Sequence, residues 1–377
     1  MTTSTQEFSL DAGICYLNHA AVAPWPRRTT LAVQQFAEEN SRRGSWRYLE
    51  WLTIEDELRH QLAGLINAPS KNDIALLKST SEALSIVAYG LDWQAGDNIV
   101  ISNQEFPSNR IIWESLQHKG VEVRQVELAS GATPEAALCA ATDHNTRLLS
   151  ISSVQYASGL RMNLEQLGAH CRRHGILFCV DAIQSIGAVM FDVQAIQADF
   201  VMADGHKWML GPEGLALFYC RPECYAQLSL NQFGWHMVEH PGDFDRHDWQ
   251  PAATARRFEC GSPNMLGIHA LNASLAVLLE VGMPDVEAQV LERSEATISA
   301  VQATSSLQLI SDTSPDRYAG IVSFRHKQIP SQTLYEALFR KGIFCACRGN
   351  AIRFSPHFYT PLDKIYTAVA AAAAESA

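Results

Sequence analysis

The residues whose types and spacing suggest chemistry are Asp181 and Gln184 in Val180-Asp-Ala-Ile-Gln184, and His206 and Lys207 further along. Lys207 stands in the stretch Asp199 to Gly214, between an apolar run that ends in small and polar residues and a second apolar run, Leu215 to Cys220. This pattern predicts strand, exposed turn, strand. A lysine held between two buried strands is partly desolvated, which lowers its ammonium pKa from about 10.4 and leaves more neutral amine. Neutral amine attacks a carbonyl to give a Schiff base. The alternative is an ordinary surface lysine in a turn, and only the residues upstream weigh against it.

The elements that must position these groups follow from periodicity. Leu31 to about Asn67 carries apolar residues at helical spacing. Asp73 to Ala88 passes from a short strand through hydroxyl residues into a helix, placing Thr80 and Ser81 at a helix start where backbone N–H groups favour an anion. Plain N-capping explains the same residues. Strands at 98–102, 121–126, 148–154 and 176–180 alternate with helices at 109–118 and 163–174, the latter closed by Gly175. Such alternation predicts a mainly parallel sheet covered on both faces, with ligands outside the carboxyl ends of its strands. Asp181, Glu105-Phe106 and Lys207 each follow a strand, so one crevice can gather them. Upstream, Cys15 to Pro26 is a short strand running into small residues and two prolines, where a ligand can approach the backbone.

The chain has 377 residues, 47% hydrophobic and 18% charged, enough for a large core and two domains. Its net charge of −11 argues against nucleic acid or an anionic membrane as partner. The N-terminus carries no basic region followed by an apolar core, and no apolar stretch is long enough to span a bilayer, so a cytoplasmic location is expected. Nine scattered cysteines without framework or C-x-x-C spacing suggest reduced thiols and no metal.

The combined pattern resembles the class V aminotransferase family, pyridoxal 5′-phosphate enzymes of fold type I that also include cysteine desulfurases, kynureninases and isopenicillin-epimerase-like proteins. It runs from Tyr16-Leu-Asn-His-Ala-Ala to Arg353, and its most specific pieces are Val180-Asp-Ala-Ile-Gln184 and Asp204-Gly-His-Lys207. The resemblance implies an α/β fold with a mainly parallel seven-stranded sheet in a large domain, residues 15–264. It also implies a small α+β domain from 1–14 and 265–377, with strands at 321–324 and 342–345 and an alanine-rich helical tail.

It further implies that Lys207 holds the cofactor and moves the substrate α-proton, and that Asp181 keeps the pyridine nitrogen protonated. Gln184 and Gln155 lie by the phenolic oxygen, Phe106 stacks on the ring, and Thr80, Ser81 and His206 hold the phosphate. Gly261 and Ser262, in Phe258-Glu-Cys-Gly-Ser-Pro-Asn264, reach the phosphate of a second subunit, which makes a homodimer. Asn18, His19, Ala20 and Arg353 would bind the amino-acid substrate, the arginine through its planar fork.

Two departures matter. Phe106 stands where desulfurases carry a histidine, and phenylalanine moves no proton. Asp204 replaces a phosphate-binding serine, so its carboxylate must turn away or find another donor. A desulfurase also needs a mobile cysteine loop, and Cys345 to Arg353 leaves little room for one. The expected activity is therefore amino transfer, with cysteine desulfurase, C–S lyase or epimerase as alternatives. A non-catalytic nucleotide-binding or regulatory protein is disfavoured by the missing G-x-G-x-x-G turn.

Overall fold

The computed structural model describes residues 4–375. Its larger body is a seven-stranded sheet built from β2 (Ile74–Leu77), β3 (Asn98–Ser102), β4 (Glu122–Val126), β5 (Thr146–Ser152), β6 (Leu177–Asp181), β7 (Phe200–Asp204) and β8 (Ala216–Cys220). The first strand of the chain, β1 (Cys15–Tyr16), lies elsewhere. Across the sheet the order is β2-β8-β7-β6-β5-β3-β4. Strand β8 is antiparallel to both neighbours, whereas the pairs from β7 to β4 are parallel. The reason is local: the segment 205–215 returns directly from β7 without a crossover helix, and a parallel pairing needs one. Strands β3, β6 and β8 are buried along their whole length, which suits their apolar centres.

Helices cover the sheet. In chain order they are α1 (Ser4–Glu7), α2 (Arg27–Arg43), α3 (Tyr48–Leu65), α4 (Thr80–Gly90), α5 (Ser108–Glu114), α6 (Pro134–Ala140), α7 (Leu164–His174), α8 (Met265–Val281) and α9 (Met283–Gln302). The helix expected at 163–174 is α7, with Asn163 accepting from the Gln166 N–H and Gly175 ending it at φ +67°. No single helix among the described residues is long and apolar enough to cross a membrane.

A smaller body holds an antiparallel sheet of β9 (Leu307–Leu309), β10 (Val322–His326), β12 (Ala346–Arg348) and β13 (Ala351–Phe354), in the order β12-β13-β10-β9. Helices α10 (Ser331–Arg340) and α11 (Leu362–Ala373) pack on it, and β11 (Ile343–Phe344) pairs in parallel with β1. The strand expected at 342–345 is thus split into β11 and β12, with Cys345 between them.

The apolar clusters show which segments share a core. Met265, Ile268, Leu271, Leu275 and Leu278 of α8 share one core with Val180, Val201 and Leu217 of the large sheet. The alanine- and leucine-rich face of α8 packs on α2 and α3, and α9 gives Val286 and Val290 to this core but Val301 to the small-body core. Cys15 and Leu17 also lie in that small-body core, so the chain enters the larger body only after them.

Candidate active site

The carboxyl ends of β5, β6 and β7 lie at one edge of the sheet, because Ser152 pairs with Asp181 and Asp181 with Met202. The segment after β7 folds tightly there. The Gly211 N–H donates to the Gly205 carbonyl at 2.8 Å, and the Leu210 N–H donates to the Lys207 carbonyl at 3.0 Å. Trp208, fully buried, is clamped between Gly187 and Gly320. A Cβ on either glycine would come within 2.4 Å and 2.3 Å, respectively, of its carbonyl and its ring. The turn expected to be exposed is therefore covered, and Lys207 is only 9% exposed.

Burial dominates the electrostatics. It pulls the Lys207 ammonium down to about 8, opposed by Asp181 and assisted by the cation of Arg353. It pushes the Asp181 carboxyl up to about 7, opposed by the Ile183 N–H, which donates to Oδ1 at 3.1 Å, and by Lys207. Each member of this buried pair is thus driven toward its neutral form. The Nζ of Lys207 sits 5.5 Å from the centroid of the Phe106 ring, which is 40% exposed and meets Tyr156 edge-on.

The other side chains are held from behind. Gln184 donates through Nε2 to the Ala20 carbonyl at 3.1 Å and accepts at Oε1 from Trp208 Nε1 at 2.9 Å. Gln155 donates through Nε2 to Glu105 Oε1 at 2.9 Å, which leaves its buried Oε1 without a protein partner. Glu105 is itself buried and also accepts from the Ser102 hydroxyl, from Asn109 Nδ2 and from the Ser152 N–H and hydroxyl. Its role in orienting Gln155 was not visible in sequence, because its donors come from three separate elements.

Arg353, 2% exposed, donates Nη1 to the Tyr156 carbonyl at 2.7 Å and Nη2 to Asn18 Oδ1 at 3.5 Å, while its Nε has no partner. Burial and then Arg348 lower its pKa to about 10, so the guanidinium stays charged at neutral pH. No carboxylate lies within ion-pair distance of it among the described residues.

At the start of α4, the Thr80 N–H donates to Asp204 Oδ2 at 3.2 Å and the Asp204 N–H donates to Thr80 Oγ1 at 3.1 Å. Asp204 thus finds another donor, and it takes an N–H expected to serve a phosphate. Ser81 donates its hydroxyl to Ser108 at 2.9 Å. His206 is held neutral by burial, with its pKa lowered to about 4, and its Nδ1 is buried without a partner.

Four predicted residues stand apart. His19 is fully buried with Nδ1 on the Ser355 carbonyl and Nε2 on the Tyr359 hydroxyl, so both ring nitrogens are engaged within the protein. Gly261 and Ser262 line a separate shallow cavity with Lys78, Glu82 and Gly214. Ala20 contributes only backbone, its N–H donating to Ser355 Oγ and its carbonyl accepting from Gln184.

A desulfurase would need a thiol beside Lys207. The β12–β13 register pairs Cys347 with Ile352, whose face forms the small-body core, while Ala346 pairs with Arg353 on the other face. Cys345 lies in that same core, and burial pushes its thiol up to about 12.

The unpartnered Gln155 Oε1, His206 Nδ1 and Arg353 Nε, with the Phe106 face, Asp181 and Lys207, fit a ring that carries a carbonyl, a basic nitrogen and an anion. Fold and site together define a lysine-centred α/β enzyme. Residues 15–355 match the model of the aminotransferase class-V family, and the chain belongs to that family. A probable cysteine desulfurase of Methanothermobacter thermautotrophicus is 30% identical, covering 93% of this chain and 92% of the relative. A second, from Pyrococcus abyssi, is 27% identical over 96% of this chain and 94% of its own length. Among solved structures, the C-DES mutant with glycine covalently linked to its pyridoxal phosphate cofactor superposes with a TM-score of 0.90, at 22% identity and 97% coverage of each chain. The cystine C–S lyase C-DES with its product cysteine persulfide gives 0.89, at 22% identity, covering 96% and 98%.

Proposed function

We propose that this chain is a pyridoxal 5′-phosphate-dependent enzyme that acts on an α-amino acid by amino-group transfer. The observation that carries the reading is the set of facing groups at one sheet edge: Lys207 beside Asp181, beneath Phe106, and across from the buried Arg353. Lys207 would hold the cofactor carbonyl, Asp181 the pyridine nitrogen, Gln184 the phenolic oxygen, and His206, Thr80 and Ser81 the phosphate. When bound, the cofactor supplies an electron sink for the pair left at the substrate α-carbon. Arg353 takes the α-carboxylate as a fork and so sets the α-hydrogen toward Lys207. Lys207, far more of it neutral than in a solvated lysine once burial has lowered its pKa to about 8, accepts that proton. Gln155 turns an acceptor oxygen toward the site, suited to an ammonium or hydroxyl. Gly261 and Ser262 would serve the phosphate of a second copy in a homodimer.

A second reading is C–S bond cleavage, favoured by the names of the relatives. Since Cys345 lies in the small-body core and the half-buried Cys347 shares the face of Ile352, opposite to that of Arg353, such chemistry would release sulfur without an enzyme persulfide. Incubating the protein with amino acids and an oxo-acid acceptor tests both. Matched amounts of new oxo acid and new amino acid are expected. Sulfide and pyruvate from cysteine, or cysteine persulfide and pyruvate from cystine, with no amino transfer, would establish the lyase. Persulfide on Cys345 or Cys347 would establish the desulfurase.

A further inference from the structure

Arg348 shares a face of the β12–β13 hairpin with Arg353. The register pairs Arg348 with Ala351 and Ala346 with Arg353, so 346, 348, 351 and 353 share one face of the hairpin. Diagonal neighbours across an antiparallel pair lie about 7–8 Å apart, close enough for two long side chains to hold one small ligand. Arg348 is exposed at the mouth, and its Nη1 donates only to the Cys347 carbonyl at 2.9 Å. Neither arginine meets a carboxylate among the described residues, in contrast to buried Arg59, which holds both Glu55 and Glu259. The charge of Arg348 is felt at both Lys207 and Arg353. Two neighbouring guanidinium groups repel unless an anion bridges them, most of all where one of them is buried.

We infer that the substrate carries a second anionic group: a dicarboxylic amino acid, or the matching dicarboxylic oxo acid, with its α-carboxylate on Arg353 and its distal carboxylate on Arg348. This rests on the reading of Lys207 and Arg353 as an amino-acid site. The buried, fixed Arg353 suits the group common to all α-amino acids, and the exposed Arg348 suits the end that varies.

The test is calorimetric binding of unreactive acids to the pyridoxal-phosphate-loaded protein, comparing succinate and glutarate with butyrate and pentanoate. The dicarboxylates should bind about tenfold tighter or better, the worth of one charge-assisted contact. Arg348→Gln should bring that ratio close to one while Arg348→Lys keeps part of it. A wild-type ratio near one, or a ratio that survives Arg348→Gln, overturns the inference. Arg353→Gln should weaken both series. If it weakens neither, or if borohydride fixes the cofactor to another lysine, the amino-acid site itself is misassigned, and that outcome does not depend on the ratio.

Discussion

The depressed pKa of Lys207 yields a measurable rate. With a pKa of about 8, roughly a quarter of the amine is neutral at about pH 7.5, against about one part in a thousand for an unperturbed lysine. Capture of pyridoxal phosphate by the cofactor-free protein requires the neutral amine, so it should run roughly two hundred times faster than at a solvated lysine of equal access. Following the bound chromophore by stopped flow across a pH series should place the inflection near 8, with rates that rise as pH rises. The variants have opposite signs. Arg353→Gln removes a cation that disfavours the ammonium, so the inflection should move up. Asp181→Asn removes the anion that favours the ammonium, so the inflection should move down. An inflection above about 10 in the wild type, or shifts of the reverse sign, would refute the burial argument.

Asp181→Asn should also keep the fold and bind cofactor, yet lower kcat by two to three orders of magnitude, since losing one partner of a buried pair costs roughly 3–5 kcal/mol; steady-state kinetics on the loaded variant would show it. Arg353→Lys should chiefly raise KM for the amino-acid substrate, because a point charge replaces a fork; a fall in kcat alone would contradict this. Gly187→Ala, at φ +93° with its Cβ 2.4 Å from the Trp208 carbonyl, should destabilise the protein by about 1–3 kcal/mol or more and disturb Lys207, as read by urea unfolding and cofactor content. Glu259→Ala leaves the buried Arg59 with Glu55 alone and removes the acceptor of the Leu76 N–H, so it should cost about 3–5 kcal/mol in the same unfolding assay.

What could be read from sequence was whatever depends on near neighbours. Strand ends, the Gly175 stop and the Asp181 and Lys207 positions follow from runs of a few residues. What was not legible depends on distant partners. Lys207 was expected in an exposed turn because Gly187, Gly320 and His357, which bury Trp208 beside it, are remote in sequence. His19 offered two ring nitrogens until Ser355 and Tyr359 claimed them. Asp204 needed a donor, and only the fold places the start of α4 against it. Helix α8 follows the phosphate-loop sequence and looks like the beginning of a new domain, yet its apolar face fits the large-body core.

The pairing of β1 with β11, Cys15 with Ile343 and Tyr16 with Phe344, also sets an order of events during synthesis. The first strand emerges early, but its partner is made near the end of the chain. At ~5–20 residues per second, the interval between Asn18 and Arg353 amounts to roughly twenty to seventy seconds. For that time the large sheet can form with Lys207 and Asp181 in place, while the arginine side of the crevice does not yet exist. The Trp208 carbonyl still lacks His357, and Asn18 lacks its guanidinium. A nascent chain in this condition presents an amine without its substrate fork, and a ribosome paused before β11 would hold it there.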